Sequence, residues 1–217
     1  MDMYHVFNRG VDKRTIVLND GDRQRFVRSL FLFNDRNSTP NAITKAAKEQ
    51  SKKRDQLVYI HAWCLMKNHY HLLLSPAEDD PNNLSLFMKK LNMGYAKFFN
   101  EKYDRSGALW QGKYKKILIT KSPHYDHIPY YIHLNPLDYS LKQWRNGSVS
   151  DAKKAYAALE RYRWSSYLDY NEVHNFPSIL YTKELEEVLG SSRNQKATIA
   201  RIISDIDEAA ASAAIET

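Results

Sequence analysis

The chain opens on a strand-like run, Tyr4-His5-Val6-Phe7-Asn8-Arg9, that stops at Gly10. Apolar spacing then turns helical, through Phe26, Val27, Leu30, Phe31 and Phe33, with Asp20 or Asp22 as the expected cap. A polar stretch over 34–55 follows, broken at Asn37-Ser38-Thr39-Pro40; its second half, 42–53, reads as a charged exposed helix or a flexible insert. Two apolar runs, 57–66 and 69–74, meet at Lys67-Asn68 and predict a hairpin, the second run stopped by Ser75-Pro76. Leu84, Phe87, Met88, Leu91, Tyr95 and Phe98 predict a helix from Asn82 or Asn83 to about Tyr103, closed off by Gly107. A fourth strand is expected over 108–120, broken or bulged near Gly112. The order β-α-β-β-α-β predicts an α+β, ferredoxin-like fold: a four-stranded antiparallel sheet with both helices on one face. The opposite face is expected to stay free for a substrate.

Beyond this unit a helix is expected to begin near Ser122-Pro123. It carries Tyr125, Ile128, Tyr131, Ile132 and Leu134, and Pro136 should end it near Asn135. Helical pieces follow at 152–159, at 182–189 with Gly190 as the stop, and at 196–214. The expected organisation is a catalytic region over 1–136 and a helical C-terminal extension over 137–217. No internal repeat stands out.

Charge narrows the partner. Lys and Arg number 32 against 25 Asp and Glu, a formal net charge of +7, which favours a polyanion. Between Lys89 and Lys121 the basic residues are Lys89, Lys90, Lys97, Lys102, Arg105, Lys113, Lys115, Lys116 and Lys121, opposed only by Glu101 and Asp104. Tyr95, Phe98, Phe99, Tyr103, Trp110 and Tyr114 are interleaved. Such a stretch suits a single-stranded nucleic acid, whose phosphates follow charge and whose bases stack on aromatic faces. It also suits a solvated helix with core aromatics beneath, the better account of Phe98 and Phe99. No run reaches the roughly 20 uncharged apolar residues of a membrane span. With no basic-then-apolar leader, a cytoplasmic protein is expected. The single cysteine, Cys64, lies in an apolar run and reads as a buried hydrophobe.

Two local patterns carry chemistry. In His69-Tyr70-His71 the imidazoles are i and i+2 on a strand and project to one side. That is half of a divalent-metal site, or a pair of hydrogen-bonded sheet histidines. In Tyr131-Ile132-His133-Leu134-Asn135-Pro136, Tyr131 and Asn135 are i and i+4 and share a helix face. A tyrosine can serve as a covalent nucleophile once its proton is drawn off, and the amide oxygen of Asn135 can serve a metal. Tyr131 can equally be a core residue, one of 15 tyrosines. Tyr130 is the alternative nucleophile but lacks the i+4 relation to Asn135. His127, four residues before Tyr131, is placed to orient the phenol. His5 suits the site or the core, and His61 a hydrogen bond to its partner strand. His133 points away from Tyr131.

These motifs together resemble the single-tyrosine HUH transposases, the IS200-like family, and within it the REP-associated tyrosine transposase branch. Tyr4 to Gly10 resembles that family's opening strand. Met66-Lys67-Asn68-His69-Tyr70-His71-Leu72 matches its M-x-N-H-x-H core, Trp110-Gln111-Gly112-Lys113-Tyr114-Lys115 its WQ-x-RYK strand, and Tyr131 to Pro136 its YIHxNP segment. Trp164-Ser165-Ser166-Tyr167 is a further similarity, and Lys113 stands where an arginine often precedes the tyrosine. The resemblance implies that His69, His71 and Asn135 hold Mg²⁺ or Mn²⁺. It implies that Tyr131 attacks the scissile phosphate of single-stranded DNA beside a hairpin, leaving a 5′-phosphotyrosine and a 3′-hydroxyl, and that a second strand end reverses the step. Arg9, Arg14, Trp110, Lys113, Tyr114 and Lys115 are the candidate DNA contacts, with Lys142, Arg145, Arg161 and Arg163 as further ones from the extension. Monomer and homodimer are both compatible, with the tyrosine acting in its own subunit or lent to a partner. The rival reading is a ferredoxin-like module that grips single strands and cuts nothing.

Overall fold

In a computed structural model the described residues are 2–39, 54–120 and 124–205. The helix or insert expected over 42–53, the helix start at Ser122-Pro123 and the small-residue end of the last helix lie outside them. The four strands are β1 (Met3–Arg9), β2 (Val58–Leu65), β3 (His69–Pro76) and β4 (Lys115–Ile119). They form one sheet in the order β2-β3-β1-β4 with every pair antiparallel. Helices α1 (Asp20–Leu32) and α2 (Pro81–Lys102) cover one face, where Phe26, Leu30, Phe87, Leu91 and Tyr95 pack on Val6, Tyr70, Leu72 and Leu74. This is the expected ferredoxin-like arrangement.

The cap of α1 is Asn19, not Asp20 or Asp22. Its side chain accepts from the Asp22 amide at 3.1 Å, and Asp22 returns a bond to the Asn19 amide at 3.3 Å, a reciprocal capping box. Asp22 is drawn into the third helical position because it also accepts from Lys102 at 2.5 Å and from the Tyr103 hydroxyl at 2.7 Å. One carboxylate thus ties the start of α1 to the end of α2.

A bulge in β2 decides what each face presents. Ile60 pairs with Leu74 and Ala62 with Leu73, leaving His61 as the extra residue. Val58 and Ile60 before it, and Trp63 and Leu65 after it, all reach the helix-side core. Ala62 and Cys64 go to the other side with Leu73, Met3 and Ile119. That second face is therefore apolar where these residues meet, and there it is not left open. Helix α3 (His124–Leu134) lies across it through Ile128, Tyr131, Ile132 and Leu134. Behind α3 pack Trp144, Leu159, Ile199 and Ile202 from the C-terminal helices α4 (Ala152–Arg161), α5 (Lys183–Leu189) and α6 (Ser192–Ser204) and their connections. Helix α6 starts four residues before the expected Lys196, because Ser191 caps it by accepting from the Asn194 amide.

The extension also covers the outer edge of β2. Leu65 donates to the Trp164 carbonyl, Ser166 to that of Trp63 and Tyr181 to that of Ile60, each at 2.9 Å. Backbone groups that would template another chain are thereby satisfied. The fourth strand is shorter than expected. Regular pairing holds only from Lys115, while Trp110 makes an isolated bridge to Gly10 and the chain bows out between them. That bow leaves one end of the second face uncovered. No helix among the described residues is long and apolar enough to cross a membrane.

Candidate active site

The uncovered end of the sheet is a cleft of about 470 Å³. Strand alternation supplies its floor: His69 and His71 on β3 lie opposite Arg9 and Phe7 on β1, and Lys115 on β4 lies beside Phe7. The bowed segment forms one wall with Gln111, Gly112 and Lys113, held by a bond from Asn8 Nδ2 to the Gly112 carbonyl at 3.2 Å. The other wall is Asp138 and Arg145, each in a single 3-10 turn after α3. Arg9, Lys113, Lys115 and Arg145 face one carboxylate, so the cleft is basic.

The two imidazoles stand edge to face, ring centroids 5.0 Å apart. His69 is half-buried, and its Nδ1 donates to Asn68 Oδ1 at 2.7 Å. His71 is buried, with its Nδ1 3.0 Å from Nε2 of His5, itself fully buried. Burial first, then the charges of His69, His5 and Arg145, push the His71 pKa well below the ordinary value, so it is neutral. A neutral imidazole is the form that binds a metal. Among the described residues no three His, Cys, Asp or Glu side chains gather as a metal-holding group. A cation here would need another kind of donor beside the histidine pair.

Tyr131 is fully buried, its ring edge-on to His71 at 5.5 Å and to His5 at 5.8 Å. Asn135 is also fully buried and donates to the Tyr131 carbonyl at 2.7 Å. Neither lines the cleft. Arg145 separates them from it. Its Nη2 donates to Asn135 Oδ1 at 3.1 Å, and its guanidinium hydrogen-bonds the Tyr131 hydroxyl. The same guanidinium grips Asp138 twice, at 2.9 and 2.7 Å, while Trp144 Nε1 donates to Asp138 at 2.8 Å. Burial opposes the charge on Arg145, but Asp138 and Tyr131 more than offset it and raise its pKa.

Of the expected DNA contacts, Arg9, Lys113, Lys115 and Arg145 line the cleft, while Lys142, Arg161 and Arg163 lie outside its lining. Trp110 does not. It is buried among Tyr70 and Tyr95 on the helix side, and its Nε1 donates to the Asn92 carbonyl at 2.9 Å. Tyr114 packs partly buried against the same core, and Arg14 lies outside the cleft lining. Tyr130 is buried and bonded to Thr198 of α6. His61 bonds Ser75 at 2.6 Å, the hydrogen bond expected of it. His133 bonds Ser166 at 2.8 Å, pointing away from Tyr131 as expected. Cys64 is buried, which pushes its thiol pKa well up. Asp138 escaped the sequence reading, although its place three residues after Asn135 in a helix-ending turn was the available signal.

No curated protein matches the chain. A solved structure, that of the REP-associated tyrosine transposase bound to a REP hairpin, aligns at 15% identity over 83% of this chain and 85% of that one, with a TM-score of 0.45. The family model described as "Transposase IS200 like" matches residues 28–135, a span that holds both cleft histidines, Tyr131 and Asn135. This chain belongs to the IS200-like transposase family.

Proposed function

We propose that the protein is a metal-dependent single-stranded DNA endonuclease and strand transferase with Tyr131 as its nucleophile. The observation that carries this reading is the placement of two imidazoles on the floor of a basic cleft, with the Tyr131 ring packed against one of them. The phenolic oxygen forms a bond to phosphorus as the bond to the 3′-oxygen breaks. The phenol gives up its proton and the 3′-oxygen takes one up, leaving a 5′-phosphotyrosine and a 3′-hydroxyl. A second 3′-hydroxyl reverses the exchange and joins the strands, so no nucleotide cofactor is consumed. The substrate is single-stranded DNA beside a hairpin, as the sequence motifs imply, with Arg9, Lys113 and Lys115 on its phosphates.

The residues present fit a divalent cation in part. His69 and the neutral His71 supply two nitrogen donors, and Asn135 supplies a third donor only when its Oδ1 leaves Arg145. When bound, Mg²⁺ or Mn²⁺ polarises a non-bridging oxygen of the scissile phosphate. Arg145 lines the cleft, so an entering phosphate competes with Asn135 and Tyr131 for its guanidinium. In this reading Arg145 holds the nucleophile until substrate draws it away. Tyr131 packs on His71 of its own chain, which supports a site completed within one subunit.

The burial of Tyr131 behind Arg145 favours the second reading, a module that binds single strands without cutting them. Incubation of the full chain with a labelled hairpin-flanked oligonucleotide and Mn²⁺ separates the two. The first reading expects a protein–DNA band that survives denaturing electrophoresis, is absent with chelator and is lost in Tyr131→Phe while binding persists. A binding module gives no such band.

A further inference from the structure

We infer that His5 and Asn68 are positioning residues: each fixes the tautomer and aim of one cleft imidazole, so that Nε2 of both His69 and His71 is the ligating atom. The inference deepens the proposed function and rests on its reading of these two histidines as ligands.

The Asn68 side chain presents its oxygen to His69 Nδ1 at 2.7 Å. A carbonyl oxygen only accepts, so the proton sits on Nδ1 and the lone pair is left to Nε2. Asn68 is itself held on both sides. Its Nδ2 donates to the Lys13 carbonyl at 3.2 Å, and its own carbonyl accepts from the Gly10 amide at 2.9 Å. Gly10 also lets the turn fold back on itself, because a Cβ there would collide with the Arg14 carbonyl and the Ile16 side chain. The turn after β1 therefore sets the Asn68 amide, and the amide sets His69.

His5 acts on the other ring. It lies on the central strand, opposite Leu73 and diagonal to His71, on the same sheet face. The two rings stack at 5.2 Å and 15°, with Nε2 of His5 3.0 Å from Nδ1 of His71. One proton lies between these nitrogens. If His71 donates it, its lone pair stays on Nε2; if His5 donates it, the His71 proton must move to Nε2 and the ring is spoiled as a ligand. Only the first arrangement serves the cleft, and it makes His5 an acceptor that raises ligand basicity. The Tyr131 ring lies edge-on to both imidazoles and closes the stack. Neither His5 nor Asn68 lines the cleft, so both act through their neighbours.

The test is Mn²⁺ affinity of the full chain, by calorimetry and by the electron spin resonance signal of free Mn²⁺. His5→Leu and Asn68→Ala should each weaken binding by about 10–100-fold, the usual cost of losing an outer partner of a metal-bound histidine. His5→Gln and Asn68→Asp keep an acceptor oxygen and should restore affinity to within a few-fold. His71→Ala should remove the site. If His71→Ala binds Mn²⁺ as the parent does, the ligand reading itself fails. If His71→Ala loses binding while His5→Leu and Asn68→Ala do not, only the positioning inference is overturned. Equal losses in His5→Leu and His5→Gln also overturn it, because packing rather than an acceptor would then be at work. A second measurement needs no variant: imidazole ¹⁵N correlation spectra of the metal-free protein should show the proton on Nδ1 of His69 and of His71. A proton on Nε2 of either refutes the inference.

Discussion

Replacing Asp138 separates the stability of the Arg145 cluster from its charge. The carboxylate receives three hydrogen bonds, from Arg145 Nε, Arg145 Nη2 and Trp144 Nε1, between 2.7 and 2.9 Å. Bonds to a charged group are worth about 1.5–3 kcal/mol each, but they are not additive. Asp138 and Arg145 keep 28% and 30% of their side-chain surface, so water screens part of the interaction. Asp138→Asn should cost about 2–4 kcal/mol, toward the lower side of breaking a buried pair. For a chain of this length that is about 5–15 °C in melting temperature. Arg145→Ala should cost about as much, because it strands Asp138 and leaves Asn135 Oδ1 without its donor. The two variants part company on DNA. Asp138→Asn uncovers a cation facing the cleft, worth about 1–2 kcal/mol against a phosphate at intermediate dielectric, or about 5–30-fold in affinity. Its salt dependence should steepen by about 0.7, one more phosphate neutralised on a single strand. Arg145→Ala should weaken binding and flatten that slope. Fluorescence anisotropy with a labelled hairpin-flanked oligonucleotide at several salt concentrations reads both quantities. Loss of stability in Asp138→Asn with unchanged affinity and slope would refute the reasoning, because the strand would then not lie against this wall.

Burial lowers the pKa of His61 to about 4 and that of His133 to about 3, so the folded protein keeps both neutral while the unfolded chain protonates them near 6.5. Their stabilisation is complete above pH 6.5 and is lost as pH falls toward those values, about 1.4 kcal/mol per pH unit for each; urea midpoints between pH 7 and 4 check this, and His133→Gln should remove about one proton from the slope. A Cβ at Gly94 would press into the Phe33 ring, so Gly94→Ala should destabilise by about 1–3 kcal/mol in urea unfolding, and Phe33→Leu should relieve part of that. Mixing Tyr131→Phe with His71→Ala should not restore cleavage if each subunit completes its own site; recovery in the mixture would show that the tyrosine is lent between subunits.

The period-2 and period-3.6 patterns were enough to place β1, β2, β3, α1, α2 and the helix bearing Tyr131, and put β4 inside a run more than twice its length. The two histidines were legible for the same reason: strand parity alone sends His69 and His71 to one face. The cover on that face was not legible, because it depends on one bulge residue. His61 shifts the phase of β2, and only after that shift do Ala62 and Cys64 form an apolar floor that α3 must bury. Trp110 looked like a stacking platform because it sits among lysines. Its bridge to Gly10 turns the indole inward instead, to the Asn92 carbonyl. The wall made by Asp138 and Arg145 was hidden by chain distance. Two 3-10 turns bring Arg145 back onto Asn135, and neither has an apolar period to announce it. The cap of α1 lies one residue before Asp20 and three before Asp22, because the Asp22 carboxylate, which accepts from Lys102, Tyr103 and two backbone amides, looks in sequence like any other acidic cap.

The proposed chemistry is decided by which side chain takes the phosphate. After reaction of the wild-type chain with a hairpin-flanked single strand and Mn²⁺, nuclease trimming and proteolysis should leave one peptide carrying a nucleotide 5′-phosphate, and fragmentation should place it on Tyr131. A modification on Tyr130 or any other residue, or cleaved DNA with no modified peptide at all, would contradict it.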